Sequence, residues 1–177
     1  MNFTFNVNLS EKDYLDYNVF WQMKSPYGKN NIILLRIYTA VLFVVAAFIF
    51  WMTNHSLSGV VFIVLIGVIS ELLSGKFYVF LIKSQIKSLS KKGKTAYSAS
   101  SIMEFSEDGF SETTKLNKTE QKYSAVERVS IIGGETVYIH VNNIMSYILP
   151  KSCFESKEQF DSFLNFIKTK CSTVDNY

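Results

Sequence analysis

Two apolar runs, residues 37–53 and 57–70, dominate the chain, separated only by the polar trio Asn54-His55-Ser56. No Lys or Arg occurs between Ile37 and Gly75. Crossing a hydrocarbon core of about 30 Å takes roughly 20 mostly apolar residues at ~1.5 Å each. Residues 32–53 reach that length with one charge, Arg36, and residues 57–76 reach it interrupted by Glu71. The pattern predicts a membrane-spanning helical hairpin, with spans at about 33–53 and 57–76. Two core helices of a soluble bundle would leave more apolar surface than the rest of this chain could cover.

The flanks carry other periods. Phe3, Phe5, Val7 and Leu9 alternate with Asn2, Thr4, Asn6 and Asn8, which predicts a half-buried strand. Ser10 reads as an N-cap for a helix from about residue 11 to 24, with Glu11 and Asp13 in its first turn. Tyr14, Tyr17 and Trp21 form an aromatic stripe on that helix, suited to a membrane surface or to the face of a folded domain. Ser25-Pro26-Tyr27-Gly28 should break it. After the second run, Phe80, Ile82, Ile86 and Leu89 alternate with Lys83, Lys87, Lys91, Lys92 and Lys94, the pattern of a basic amphipathic arm.

From Tyr97 onward the period becomes two. Short strands are expected around residues 101–105, 110–116, 121–123, 128–132, 137–141 and 144–149. Asp108-Gly109 and Gly133-Gly134 signal hairpin turns, Ser124–Glu127 a kink, and Pro150 the end of the sheet. Ser156 and Gln159 form a capping-box pair before Phe160, Phe163, Leu164 and Ile167, a core-facing helical stripe.

With the strand at residues 3–8, this makes seven strands and a terminal helix. The fold class is therefore an α+β membrane protein: a transmembrane helical hairpin plus an antiparallel pleckstrin-homology-like β-barrel or sheet with a C-terminal helix. An isolated strand is unstable, so the first strand should join that sheet and make the hairpin an insertion. The expected organisation is 1–30 N-terminal strand and helix within the cytoplasmic domain and 31–83 hairpin. The basic arm follows at 84–96, the β domain at 97–171 and a frayed tail at 172–177.

Charge orients the hairpin. Lys24, Lys29 and Arg36 precede the first span and six lysines from Lys76 to Lys94 follow the second, whereas the connecting loop has none. The positive-inside rule places both termini in the cytoplasm, so the expected location is the cytoplasmic membrane, multi-pass. The polar opening residues predict no cleavable signal peptide. Arg36 lies about 25 Å and Glu71 about 21 Å from the outer turn along their helices, a matched depth that suggests an intramembrane ion pair or two charges snorkelling independently. Lys83, Lys87, Lys91, Lys92 and Lys94 are candidate contacts for anionic lipid head groups, although ordinary topology-setting cations would look the same.

Composition adds little chemistry. The chain is 48% hydrophobic with a formal charge of only +3, so nothing asks for nucleic acid. Cys153 and Cys171 match no zinc spacing, and His55 and His140 lie far from them. No Ser/His/Asp set and no phosphate-cradling glycine loop stands out; the chain is not expected to be an enzyme or to need a cofactor.

Several stretches carry a family resemblance: "IMEFSEDGFSETT", "YSAVERV" and "ILPKSCFESKEQFDSFLNFI", following an early pair of spans. With the Glu107-Asp108-Gly109 turn, Tyr123 where a Trp is usual, and Pro150-Lys151 before Phe154, the chain resembles the YcxB-like family of bacterial membrane proteins. The resemblance implies a cytoplasmic domain similar to pleckstrin-homology modules and no activity. The expected function is a membrane-anchored binding or scaffolding module. Its partners would be the bilayer, anionic head groups, a protein or another copy of itself. The alternative is a subunit of an oligomeric transporter or a membrane enzyme.

Overall fold

The computed structural model describes residues 2–92, 98–142 and 145–177, with the side chain of Tyr27 excepted. The chain divides into two compact units, Met1–Tyr17 with Thr95–Tyr177, and Asn18–Lys94.

The first unit is built from two four-stranded sheets rather than one closed barrel. In the first sheet β1 (Phe3–Asn8), β2 (Ser100–Phe105), β3 (Gly109–Thr113) and β4 (Lys118–Lys122) run antiparallel in that order. The alternation in β1 sets the register: Phe5 lies opposite Met103 and Val7 opposite Ser101, all buried on one face. Asn6 and Asn8 point the other way, exposed. The N-terminal strand thus pairs with a strand that follows the helical insertion.

The second sheet has the order β7 (Ser146–Leu149), β6 (Thr136–His140), β5 (Arg128–Ile132), β8 (Val174–Asn176). Gly133 and Gly134, with φ of 58° and 70°, form the tight β5–β6 turn, and Glu135 N donates to Ile132 O at 3.2 Å. Both central residues in the left-handed region match the twist of a hairpin, and only glycine adopts that pair at low cost. The frayed tail expected at the C-terminus is not what forms. β8 runs parallel to β5, with Val129 opposite Val174, and Tyr177 N donates to Ile131 O at 2.9 Å.

Helix α4 (Lys157–Lys170) closes the core. Ser156 Oγ accepts from Gln159 N at 3.2 Å, while Gln159 Oε1 accepts from Glu155 N, one residue before the cap. Phe163 is fully buried and meets Phe3, Phe5 and Phe105 edge-on at 5.5, 5.0 and 4.9 Å between ring centres. Each such pair adds about 1 kcal/mol beyond its buried area.

Gly109 has a different role from the one its Asp-Gly context suggests. Among the described residues positive φ occurs at His55, Gly133 and Gly134, so Gly109 is an ordinary extended residue opening β3. A Cβ there would overlap the Gln121 carbonyl oxygen of β4. Close backbone approach, rather than turn geometry, requires glycine.

Helix α1 (Glu11–Met23) spans the boundary between the units. Ser10 Oγ accepts from Asp13 N at 3.2 Å and Asp13 Oδ2 accepts from Ser10 N at 2.9 Å, a reciprocal cap. In the second unit the break after α1 is shorter than the sequence suggests. Ser25 caps α2 (Pro26–Asn54) by accepting from Gly28 N at 3.0 Å, and Pro26 occupies the first turn, where its missing N–H costs nothing. His55, in the left-handed conformation, ends α2, and Ser56 caps α3 (Leu57–Lys91). The basic arm is the continuation of the second apolar helix: α3 runs on through Lys83, Lys87 and Lys91, and Lys94 lies outside the described residues.

Candidate functional site

Helices α2 and α3 are both long and apolar enough to cross a membrane, and in each only 6% of the most apolar window is buried. A soluble core helix would be mostly buried. Tyr38 and Val44 on α2 and Leu72 on α3 are among many large side chains that stand exposed.

The less exposed residues recur at spacings of three and four. On α2 they include Thr39, Phe43, Ala46, Ala47 and Phe50, and on α3 Gly59, Ile63, Gly67, Ser70 and Ser74. Small residues on such a seam let backbones approach closely, which is the main attraction available to helices in lipid. Phe43 fits over Gly67, and Phe50 covers Gly59 so tightly that a Cβ there would overlap the ring.

Further along this seam sit both charges. A cleft of about 510 Å³ is lined by Arg36, Ala40, Phe43 and Val44 of α2 and by Val64, Gly67, Val68, Glu71 and Leu72 of α3. The expected ion pair does not form inside it. Arg36 Nε donates to Ser74 Oγ at 3.2 Å, and the Ser74 hydroxyl donates to Glu71 O at 2.8 Å. Glu71 Oε1 is fully buried with no hydrogen-bond partner. Ser74 lies nearly one turn beyond Glu71, and it takes the guanidinium Nε in place of the carboxylate.

The lysines nominated for lipid contact do not join this cleft. Lys83, Lys87 and Lys91 are exposed and follow one another every fourth residue, forming a stripe on α3, with exposed Lys92 at its cap.

The β unit holds a polar cluster that sequence reading passed over. His140 on β6 is 1% exposed, with Nδ1 2.9 Å from Ser146 Oγ and Nε2 3.2 Å from Ser130 Oγ. Tyr17 of α1 stacks on the imidazole at 6.2 Å, shares a hydrogen bond with Ser146, and meets Tyr138 edge-on at 5.1 Å. Burial, and then the Arg128 cation, push the His140 pKa down to about 4, so the ring is neutral and acts as donor to one serine and acceptor from the other. Strands β5 and β6 are buried at nearly every position, on both faces, and the alternation of serine and histidine with Val129, Ile131 and Ile139 was the available signal. The thiols of Cys153 and Cys171 are buried and pushed up to about 12 and 11, far from the reactive range. Among the described residues no group of three His, Cys, Asp or Glu converges to hold a metal.

Residues 105–167 match the family model of the YcxB-like proteins. Over these residues the chain is similar to the YcxB-like family. The YcxB-like stretch opens at the end of β2 and closes within α4, so it includes Phe105, the Gly133-Gly134 turn, His140 and Phe163. Strand β1, both apolar helices and β8 lie outside it. No curated protein and no solved structure matches the chain.

Proposed function

We propose that this YcxB-like chain is a membrane-anchored binding or scaffolding module, not an enzyme. The hairpin of α2 and α3 crosses the cytoplasmic membrane, with both chain ends inside, and a pleckstrin-homology-like domain presents its surface there. The observation that carries the reading is the nearly unburied apolar length of α2 and α3, inserted in the chain between two strands, β1 and β2, that pair with each other. An insertion of this kind ties the domain to the hairpin through two chain crossings. The asymmetric cations, absent from the connecting loop, support the orientation.

The occupant of such a domain would be an extended protein segment added to a sheet edge, recognised through backbone hydrogen bonds. Edges β4 and β7 suit this, because β8 already fills the outer edge of β5. The lysine stripe on α3 would rest against anionic head groups.

Topology and binding are tested together in whole cells. A Ser56→Cys variant should react with a membrane-impermeant maleimide added outside, whereas labelling only after lysis would reverse the orientation. Photo-crosslinking residues placed at Gln121 and Ser146 should then capture a recurrent protein partner. Lipid adducts alone would point to head-group recognition instead.

A further inference from the structure

We infer that the charged cleft of the hairpin is an interface between two copies of this chain, in which Arg36 of each copy pairs with Glu71 of the other. The inference rests on the hairpin lying in a bilayer, as proposed above.

Two groups on the wall of one cleft each lack what the other offers. Arg36 uses Nε on Ser74, which leaves the N–H groups of both Nη atoms without a hydrogen bond in the described structure. Glu71 accepts no hydrogen bond at its carboxylate, and Oε1 is already closed off from solvent. Near or within hydrocarbon, ionisable side chains are found paired, because an unpaired one loses its hydration with no compensation. Within one chain Arg36 bonds Ser74 and not Glu71.

A second copy resolves the mismatch by symmetry. A two-fold axis along the membrane normal brings together residues of equal depth and makes every contact twice. Arg36 and Glu71 meet the depth condition, since Arg36 binds a serine three positions from Glu71 on the facing helix. The surface around them is self-complementary in charge, with one cation, one anion, the short side chains of Ala40, Val44, Val64 and Val68, and the bulkier Phe43 and Leu72. The short side chains allow a close approach of helices. An anionic head group would satisfy Arg36 but repel Glu71, so charge complementarity favours an occupant that carries both signs. An Arg–carboxylate pair through Oε2, the carboxylate oxygen that is not closed off, made twice, fits that demand.

The test uses full-length chains in native membranes, co-expressed with two different affinity tags. Wild-type copies should co-purify. R36E alone and E71R alone should each lose co-purification tenfold or more, because each homodimer would oppose like charges. Co-expressing R36E with E71R should restore it, since both cross-pairs in the mixed dimer are then complementary. A pair within one chain cannot be rescued in trans, so failure of the mixture to recover overturns the inference. So does a wild-type chain that stays monomeric with a zwitterionic lipid in the cleft. Resistance to alkaline extraction, measured on every variant, separates the two ideas. Extraction of the wild type would remove the membrane reading itself, whereas an integral but monomeric chain removes only the dimer. The double variant R36E/E71R, which should again form homodimers, guards against loss of signal from poor expression.

Discussion

Phe43 rests on Gly67 so closely that a Cβ added to the glycine would stand 3.0 Å from the ring Cγ and 3.2 Å from the Phe43 Cβ. Both are atoms near the backbone of α2, so a rotamer change cannot move them far. At Gly59 the overlapping atoms are the far edge of the Phe50 ring, which can swing outward. Gly67→Ala should therefore destabilise the hairpin by about 1–3 kcal/mol, the usual cost of overpacking, and Gly59→Ala by less. Thermal unfolding of the full chain in detergent checks the order; equal losses would contradict it.

Phe163 is the shared neighbour of Phe3, Phe5 and Phe105. Truncation to alanine should cost the β unit about 3–5 kcal/mol, the range for a fully buried aromatic. Denaturant titration followed by tyrosine fluorescence would measure it.

The terminal strand is a structural element in this chain. Deleting residues 172–177 removes the β5–β8 register, the Tyr177 N to Ile131 O hydrogen bond and the 3.2 Å Arg128–Asp175 pair. The freed groups of β5 regain water, so the expected loss is only about 2 kcal/mol. Asp175→Asn alone should cost less than ~1 kcal/mol, because that pair is partly exposed. Amide exchange at Val129 and Ile131 should accelerate in the truncated chain but not in the point variant.

His140 makes stability depend on pH. Its folded pKa of about 4 lies below the ordinary 6.5, so the unfolded chain binds the extra proton first. The contribution is complete above pH 6.5 and is lost as pH falls toward 4, amounting to about 3 kcal/mol over that window. His140→Gln keeps a polar partner for Ser130 and Ser146 and should flatten the slope there. Glu107, held down to about 2 by its 2.6 Å bond to Lys170, acts lower, with its stabilisation lost below about pH 4.5. An unchanged slope between pH 4 and 6.5 in the glutamine variant would remove His140 from this role.

Features set by a repeat along the backbone were legible in the sequence. The apolar length of α2 and α3, the alternation of β1, the Gly133-Gly134 turn and the Ser156 cap each depend on residues within a few positions of one another. The candidate site was legible only in part. Arg36 and Glu71 could be picked out because charges are rare in apolar runs, but their partners could not. Ser74 and Glu71 differ by less than one helical turn, about 5.4 Å of rise, and hydropathy does not record which of them faces Arg36. Gly67 and Ser74 did carry a signal, since small residues three and four apart mark a seam.

The sequence by itself determined the helices and every strand but β8, and which faces are apolar, because local backbone geometry repeats every 3.6 or every two residues. Tertiary structure decided what no local period contains. It paired the last residues with β5, made Gly109, at the end of the expected β2–β3 hairpin, a site of close approach, and enclosed His140 between two serines. It also separated Arg36 from Glu71. Each of these outcomes depends on which distant backbone arrives alongside, and a difference of one turn or one register position changes the partner.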